Sequence, residues 1–152
     1  MMGMTRKLDV HTMFARLLDI GGTVIEDKER AEIGTFPIRL TPAGRADPLF
    51  SEFPDRFHVQ LGHNDRVSEL GPGWLDLAHS EICPAQAIRL AGKPVYGTQF
   101  HSEMDEHRLR ERLEVYVNDY VPDADLFAEI LRTLRPSVEA DRLLSRFLDL
   151  YA

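Results

Sequence analysis

The change of hydrophobic period near Phe100 constrains this chain's fold more than any other feature. Before it, apolar residues come in short runs rich in Val, Ile, Phe and Thr, broken by Pro and Gly: residues 23–25, 33–40, 57–61, 67–70, 74–78, 87–90 and 94–100. Runs of that length and composition read as strands and tight turns. The last two are joined by Ala91-Gly92-Lys93, a hairpin-like connection with glycine where a positive φ is needed. After Phe100 the spacing is helical to the end. Leu109, Leu113, Tyr116, Val117 and Tyr120 form one stripe, Phe127, Ile130, Leu131 and Leu134 a second, and Leu144, Phe147, Leu148 and Tyr151 a third. Pro122 and Pro136 separate the stripes, and Asp123 and Ser137 stand where N-caps belong. A short amphipathic helix on Val10, Met13, Phe14, Leu17 and Leu18, stopped by Gly21-Gly22, precedes the strands. Helix, strands and then helices is α/β or α+β, and pattern alone leaves both open.

The 152 residues, 43% of them hydrophobic, show no repeat, low-complexity tract or linker, so residues 1–152 are read as a single domain. A formal net charge of −7 argues against a sequence-independent grip on nucleic acid. No apolar run approaches the roughly 20 residues of a membrane span. The basic start, Met1 to Lys7, runs into Leu8-Asp9-Val10-His11 and does not read as a signal peptide. A single cysteine cannot form an internal disulfide, which fits a cytoplasmic setting.

The stretch that carries chemistry is Tyr96-Gly97-Thr98-Gln99-Phe100-His101-Ser102-Glu103. If the strand runs through Glu103, its period of two puts His101 and Glu103 on one face, where a carboxylate holds one imidazole nitrogen and leaves the other as a base. By itself His-x-Glu reads more readily as a surface ion pair. The stretch resembles the G-[VLT]-Q-F-H-P-E signature of class I glutamine amidotransferases, with Ser102 in place of the usual proline. The resemblance extends to Gly62-His63-Asn64-Asp65-Arg66-Val67, to the segment from Ser80 to Ala87, to Gly21-Gly22-Thr23-Val24, and to Ile33 through Thr41, which is similar to the GMP synthase-like branch.

The resemblance implies a flavodoxin-like three-layer α/β fold and a glutaminase using a Cys-His-Glu triad, without cofactor. His101 would be its base and acid, Glu103 the orienting carboxylate, and a synthetase the partner that takes the ammonia. It also implies a nucleophile on a Gly-flanked turn near Leu8-Asp9-Val10-His11, where this chain has neither Cys nor Gly. The chain is therefore expected to correspond to the C-terminal portion of the family domain, without the N-terminal strands and nucleophile elbow. It should be inactive alone, which leaves its standing as an enzyme open. The rival reading is a non-catalytic pseudo-glutaminase serving as a binding or interaction module.

The remaining candidates are weaker. Cys83, in Ile82-Cys83-Pro84, reads as a structural thiol rather than a substitute nucleophile. His101, Glu103 and His107 supply metal-ligand types but straddle an expected strand-to-helix junction, so no metal is expected. The resemblance puts His63 and Asp65 near the substrate, with a turn held by Asx-type hydrogen bonds as the alternative. His11, His58 and His79 suggest no role, and Trp74 is expected to pack in the core or on the Pro72-Gly73 turn. With central strands missing, the helical apolar faces and a bare parallel-strand edge would be uncovered, implying a homodimer, a partner chain such as the missing N-terminal half, or low stability.

Overall fold

The computed structural model describes residues 21–116, 121 and 123–152. The expected helix on Val10 to Leu18, His11, and Val117 and Tyr120 of the first stripe lie outside the described residues. Among the described residues seven strands follow one another: β1 (Thr23–Glu26), β2 (Glu32–Leu40), β3 (Arg56–His63), β4 (Asp65–Glu69), β5 (Trp74–His79), β6 (Ala87–Leu90) and β7 (Tyr96–Thr98). The helices are α1 (Pro42–Ala46), α2 (Glu106–Val115), α3 (Ala124–Thr133), α4 (Val138–Asp141) and α5 (Leu143–Tyr151). No helix among the described residues is long and apolar enough to cross a membrane.

The strands form a five-stranded sheet in the order β3-β2-β5-β6-β7 and a β1-β4 ribbon. Every pairing among them is antiparallel, so the parallel edge expected from the sequence is not found in the described residues. The β5–β6 and β6–β7 connections are too short for the crossover that parallel neighbours require. Gly92 closes the β6–β7 hairpin at φ +74°, as its position predicts.

The sheet curls. β3 and β7 are its two edges, yet His101, just past β7, donates its backbone N–H to the Gln60 carbonyl of β3 at 3.0 Å. Phe50, Phe53, Phe57 and Phe100 line the inside as successive edge-to-face pairs with centroids 5.4, 5.2 and 6.5 Å apart. Around them Ile38, Leu40, Val59, Leu61 and Leu77 are almost wholly buried, each stabilising the fold by about 1.5–3 kcal/mol. A second cluster, Val67, Ala85 and Ile88, lies under Val24, Leu70 and Trp74, so the tryptophan packs in the smaller core.

Helix α1 is pressed onto β5. Thr41 accepts the Gly44 N–H at 3.0 Å and donates to the Asp76 carbonyl at 2.7 Å, capping the helix and stitching it to the strand. Asp123 caps α3 as expected, accepting from Leu126 N–H at 2.8 Å. Ser137 occupies the N-cap position of α4 but makes no capping bond. Its hydroxyl accepts from Gln60 Nε2 and donates to Asp141 instead. The third stripe is rotated from its expected face: Leu143 is buried, while Leu144 and Leu148 are 56% and 52% exposed.

Candidate active site

Strand β7 ends at Thr98, short of the run to Glu103 that the period-two argument assumed. A turn brings the two side chains together instead. His101 Nδ1 lies 2.7 Å from Glu103 Oε1, which leaves Nε2 without a hydrogen bond among the described residues. The turn is held on both sides. Upstream, the Gln99 N–H bonds the Gln86 carbonyl at 2.9 Å, its side chain bonds the Ala85 carbonyl at 3.0 Å, and the His101 N–H is tied to Gln60. Downstream, Asp105 caps α2 by accepting the Arg108 N–H at 2.8 Å, which fixes where the chain resumes a helix.

The imidazole of His101 is largely covered, at 17% exposure, whereas the Glu103 carboxylate is 61% exposed. The hydrogen bond from His101 is the chief reason that the Glu103 carboxyl titrates below its ordinary range, with burial opposing. A carboxylate so placed selects the tautomer with its proton on Nδ1 and leaves Nε2 as the acceptor.

The other sequence candidates sit elsewhere. Cys83 is 1% exposed and its thiol faces the Arg30 carbonyl at 3.5 Å, with its own N–H bonded to Ser80 Oγ. Burial first, and the Glu32 carboxylate second, push the thiol up to about 11, so it stays protonated at neutral pH. No hydrogen bond joins it to His101. His63 Nε2 pairs with Glu32 Oε2 at 3.1 Å inside a buried polar cluster, where Gln86 Nε2 also donates to that oxygen at 2.6 Å. Asp65 opens β4 opposite Glu26, and the carbonyl of Asn64, between His63 and Asp65 in the chain, accepts the Asp27 N–H. Neither His63 nor Asp65 is hydrogen-bonded to the His101–Glu103 pair. His107 is exposed and faces Glu106 at 3.6 Å. Among the described residues no three His, Cys, Asp or Glu side chains converge as a metal site. His79 donates from Nδ1 to the Ser80 carbonyl at 3.1 Å, and His58 lies opposite Pro37 on β3.

Sequence reasoning missed Gln60, whose carbonyl anchors His101 while its amide bonds Arg135 O at 2.7 Å and Ser137 Oγ at 3.2 Å. By the strand's period of two Gln60 shares a face with His58 and Gly62, opposite Phe57, Val59 and Leu61, so spacing reads it as outward, and its burial comes from the segment at Arg135 and Ser137 that covers that face. It also missed Glu32, the first residue of β2, and Gln86, just before β6, which are wholly buried and joined to each other at 2.6 Å across the fold.

The family model described as "Glutamine amidotransferase class-I" matches residues 14–114. Among curated relatives, the chain is 36% identical over 83 residues to a GMP synthase [glutamine-hydrolyzing] of Thermosipho africanus, covering 55% of this chain and 15% of that protein. It is 35% identical over 75 residues to a GMP synthase [glutamine-hydrolyzing] subunit from Methanocaldococcus jannaschii, covering 49% of this chain and 40% of the relative. The chain thus spans less than half the length of these relatives. Among solved structures, a glutamine amidotransferase from Thermotoga maritima superposes with a TM-score of 0.68 at 26% identity, over 86% of this chain and 55% of that one. One from Methylobacillus flagellatus shares the fold at a TM-score of 0.65 and 24% identity, over 88% of this chain and 57% of that one.

Proposed function

The chain belongs to the class-I glutamine amidotransferase family, and from that premise we propose that His101 and Glu103 are the base and the orienting carboxylate of a glutaminase triad whose thiol does not come from the described residues. The observation that carries this reading is the 2.7 Å contact between His101 Nδ1 and Glu103 Oε1. Glutamine is the substrate by analogy with relatives whose name says that they hydrolyse it, and a synthetase is the partner that would take up the ammonia.

In such a reaction a thiolate attacks the side-chain amide carbon, and the imidazolium protonates the departing ammonia. The imidazole then takes a proton from the water that hydrolyses the thioester. His101 Nε2 is the atom that would move those protons, and Glu103 would stabilise the imidazolium. Cys83 is unsuited to the thiolate role, being buried, protonated and bonded to a different part of the fold. The 152-residue polypeptide alone should therefore not hydrolyse glutamine. That same observation supports a second reading, a non-catalytic module that retains the pair.

Glutamate release from glutamine, measured on the purified chain and on the His101→Ala and Cys83→Ala variants, tests this. Background rates in all three are expected. Turnover by the parent chain that both substitutions abolish would make Cys83 the nucleophile and overturn the reading.

A further inference from the structure

We infer that Arg39, Arg56 and His79 form a binding site for a phosphate group on the outer face of the five-stranded sheet. Along β2 the side chains of Ile38 and Leu40 are buried in the core, so Arg39 between them points the other way and is exposed. It stands directly opposite Arg56 of β3 on one side and His79 of β5 on the other. Cross-strand partners share a face, so three basic side chains lie side by side across three strands. The segment at Arg135 and Ser137 covers this face at Gln60, but Arg56, roughly 13 Å along β3 from there, is exposed.

Like charges directly opposite one another destabilise a sheet, and here no carboxylate neutralises them. Arg30, Arg45, Arg66, Arg89 and Arg146 each hold a carboxylate, whereas the side chains of Arg39 and Arg56 have no hydrogen bond or ion pair among the described residues. Asp55, the acid beside Arg56 in the chain, is committed to Arg45 at 3.3 Å. With 25 acidic residues against 18 basic ones, the chain has carboxylates to spare, so the bare pair is accounted for by an anion that the described fold does not supply.

The surroundings specify that anion. The three basic groups line one cavity of about 80 Å³ together with Ser80 and Glu81. That is well below the roughly 300–1,000 Å³ of a pocket for a whole small molecule, and it admits a single small oxyanion. Two guanidinium forks suit such an ion because each can give it paired N–H bonds. His79 adds a preference for phosphate. Its Nδ1 donates to the Ser80 carbonyl at 3.1 Å, which leaves Nε2 to accept from the hydroxyl of a singly protonated phosphate. Glu81 carries the opposite charge on the same wall and weakens the attraction.

Calorimetric titration of the full 152-residue chain with inorganic phosphate at pH 7 and low ionic strength tests the site. One equivalent should bind saturably, and the melting temperature should rise with phosphate but not with chloride at the same ionic strength. Arg39→Gln and Arg56→Gln each change an exposed side chain, should leave the fold intact, and should weaken binding roughly tenfold or more. Glu81→Gln should tighten it. Glycerol phosphate separates the sources of the ligand, and both of its outcomes uphold the site: an ester that binds as tightly as the free ion identifies the phosphoryl group of a larger molecule, and an ester that is excluded identifies phosphate itself. Equal stabilisation by chloride and phosphate reduces the effect to screening and overturns the inference. So does phosphate binding that both arginine variants retain, or no binding at all, as when a carboxylate of the chain itself already occupies the arginines. None of these readouts requires glutaminase activity.

Discussion

His101 and Gln60 lie on opposite margins of one sheet and are joined backbone to backbone at 3.0 Å. Curling of the sheet makes that contact, and it explains why a residue in a turn is held in place. Gln60 is wholly buried and anchored in turn by the Arg135 carbonyl and Ser137, so the position of the imidazole is referred to the core and to the start of α4. A side chain fixed through rigid elements keeps its geometry while other groups arrive.

The Glu103 carboxyl should titrate below its ordinary range and return toward it in His101→Ala, as followed by carboxyl carbon chemical shifts. A carboxyl whose folded value is depressed contributes stability above its unfolded value, and that contribution disappears as pH falls through the folded one. At 61% exposure the pair should contribute well under about 1 kcal/mol, so the shift, and not the melting temperature, is the measurement to make.

Cys83 should resist a thiol-specific disulfide reagent at pH 8 until the protein unfolds. With its thiol pushed up to about 11, its thiolate fraction is roughly a hundredfold below that of a free cysteine, before any steric shielding. Glu32→Gln removes one cause of the rise and should speed labelling of the folded chain. Fast labelling of the parent chain at pH 8 would contradict both the burial and the assigned protonation state.

All seven strand regions were legible in the sequence because β-branched and aromatic runs between Pro and Gly have few other uses. The hairpin at Gly92 and the cap at Asp123 followed from equally local rules. The turn at His101 was not legible. The motif told which two side chains meet, but β7 stops at Thr98, and what brings them together is a bond to a residue 41 positions earlier. The buried pairing of His63 with Glu32 is likewise tertiary, invisible to spacing because the partners stand on different strands. The antiparallel β6–β7 pairing was itself legible, because the short Ala91-Gly92-Lys93 connection joins only antiparallel neighbours; the parallel edge was expected from the family resemblance and not from the spacing.

Asp47→Ala should be among the costliest single changes outside the hydrophobic core. Asp47, 4% exposed, accepts from Arg89 Nη1 at 2.9 Å, from the Leu49 N–H at 2.9 Å and from the Tyr96 hydroxyl at 3.1 Å, and that hydroxyl meets Tyr151 of α5 at 3.0 Å. Removing the carboxylate leaves a largely covered guanidinium and a phenol without their partner, at a cost of about 3 kcal/mol. Tyr151→Phe deletes only the outermost link and should cost about 0.5 kcal/mol. Urea denaturation of the two variants beside the parent separates these values, and equal midpoints for all three would refute the cluster's role.

Two glycines with opposite surroundings offer a sharper test of the packing. At Gly44 an added Cβ would lie 2.0 Å from the Leu77 carbonyl oxygen and 2.9 Å from its carbon, and because both are backbone atoms of β5 no side-chain rotation can relieve the clash. Gly44→Ala must push α1 off the sheet and break the Thr41 stitch to Asp76, so a loss of at least about 3 kcal/mol is expected. For a chain of this size that lowers the melting temperature by roughly 6–12 °C. At Gly62, on β3, no atom lies within 4 Å of the added carbon, and alanine there should stabilise slightly by restricting the unfolded chain, by about 0.5 kcal/mol. Thermal unfolding of both variants should therefore move in opposite directions, and a Gly44→Ala chain as stable as the parent would show that α1 does not rest on β5.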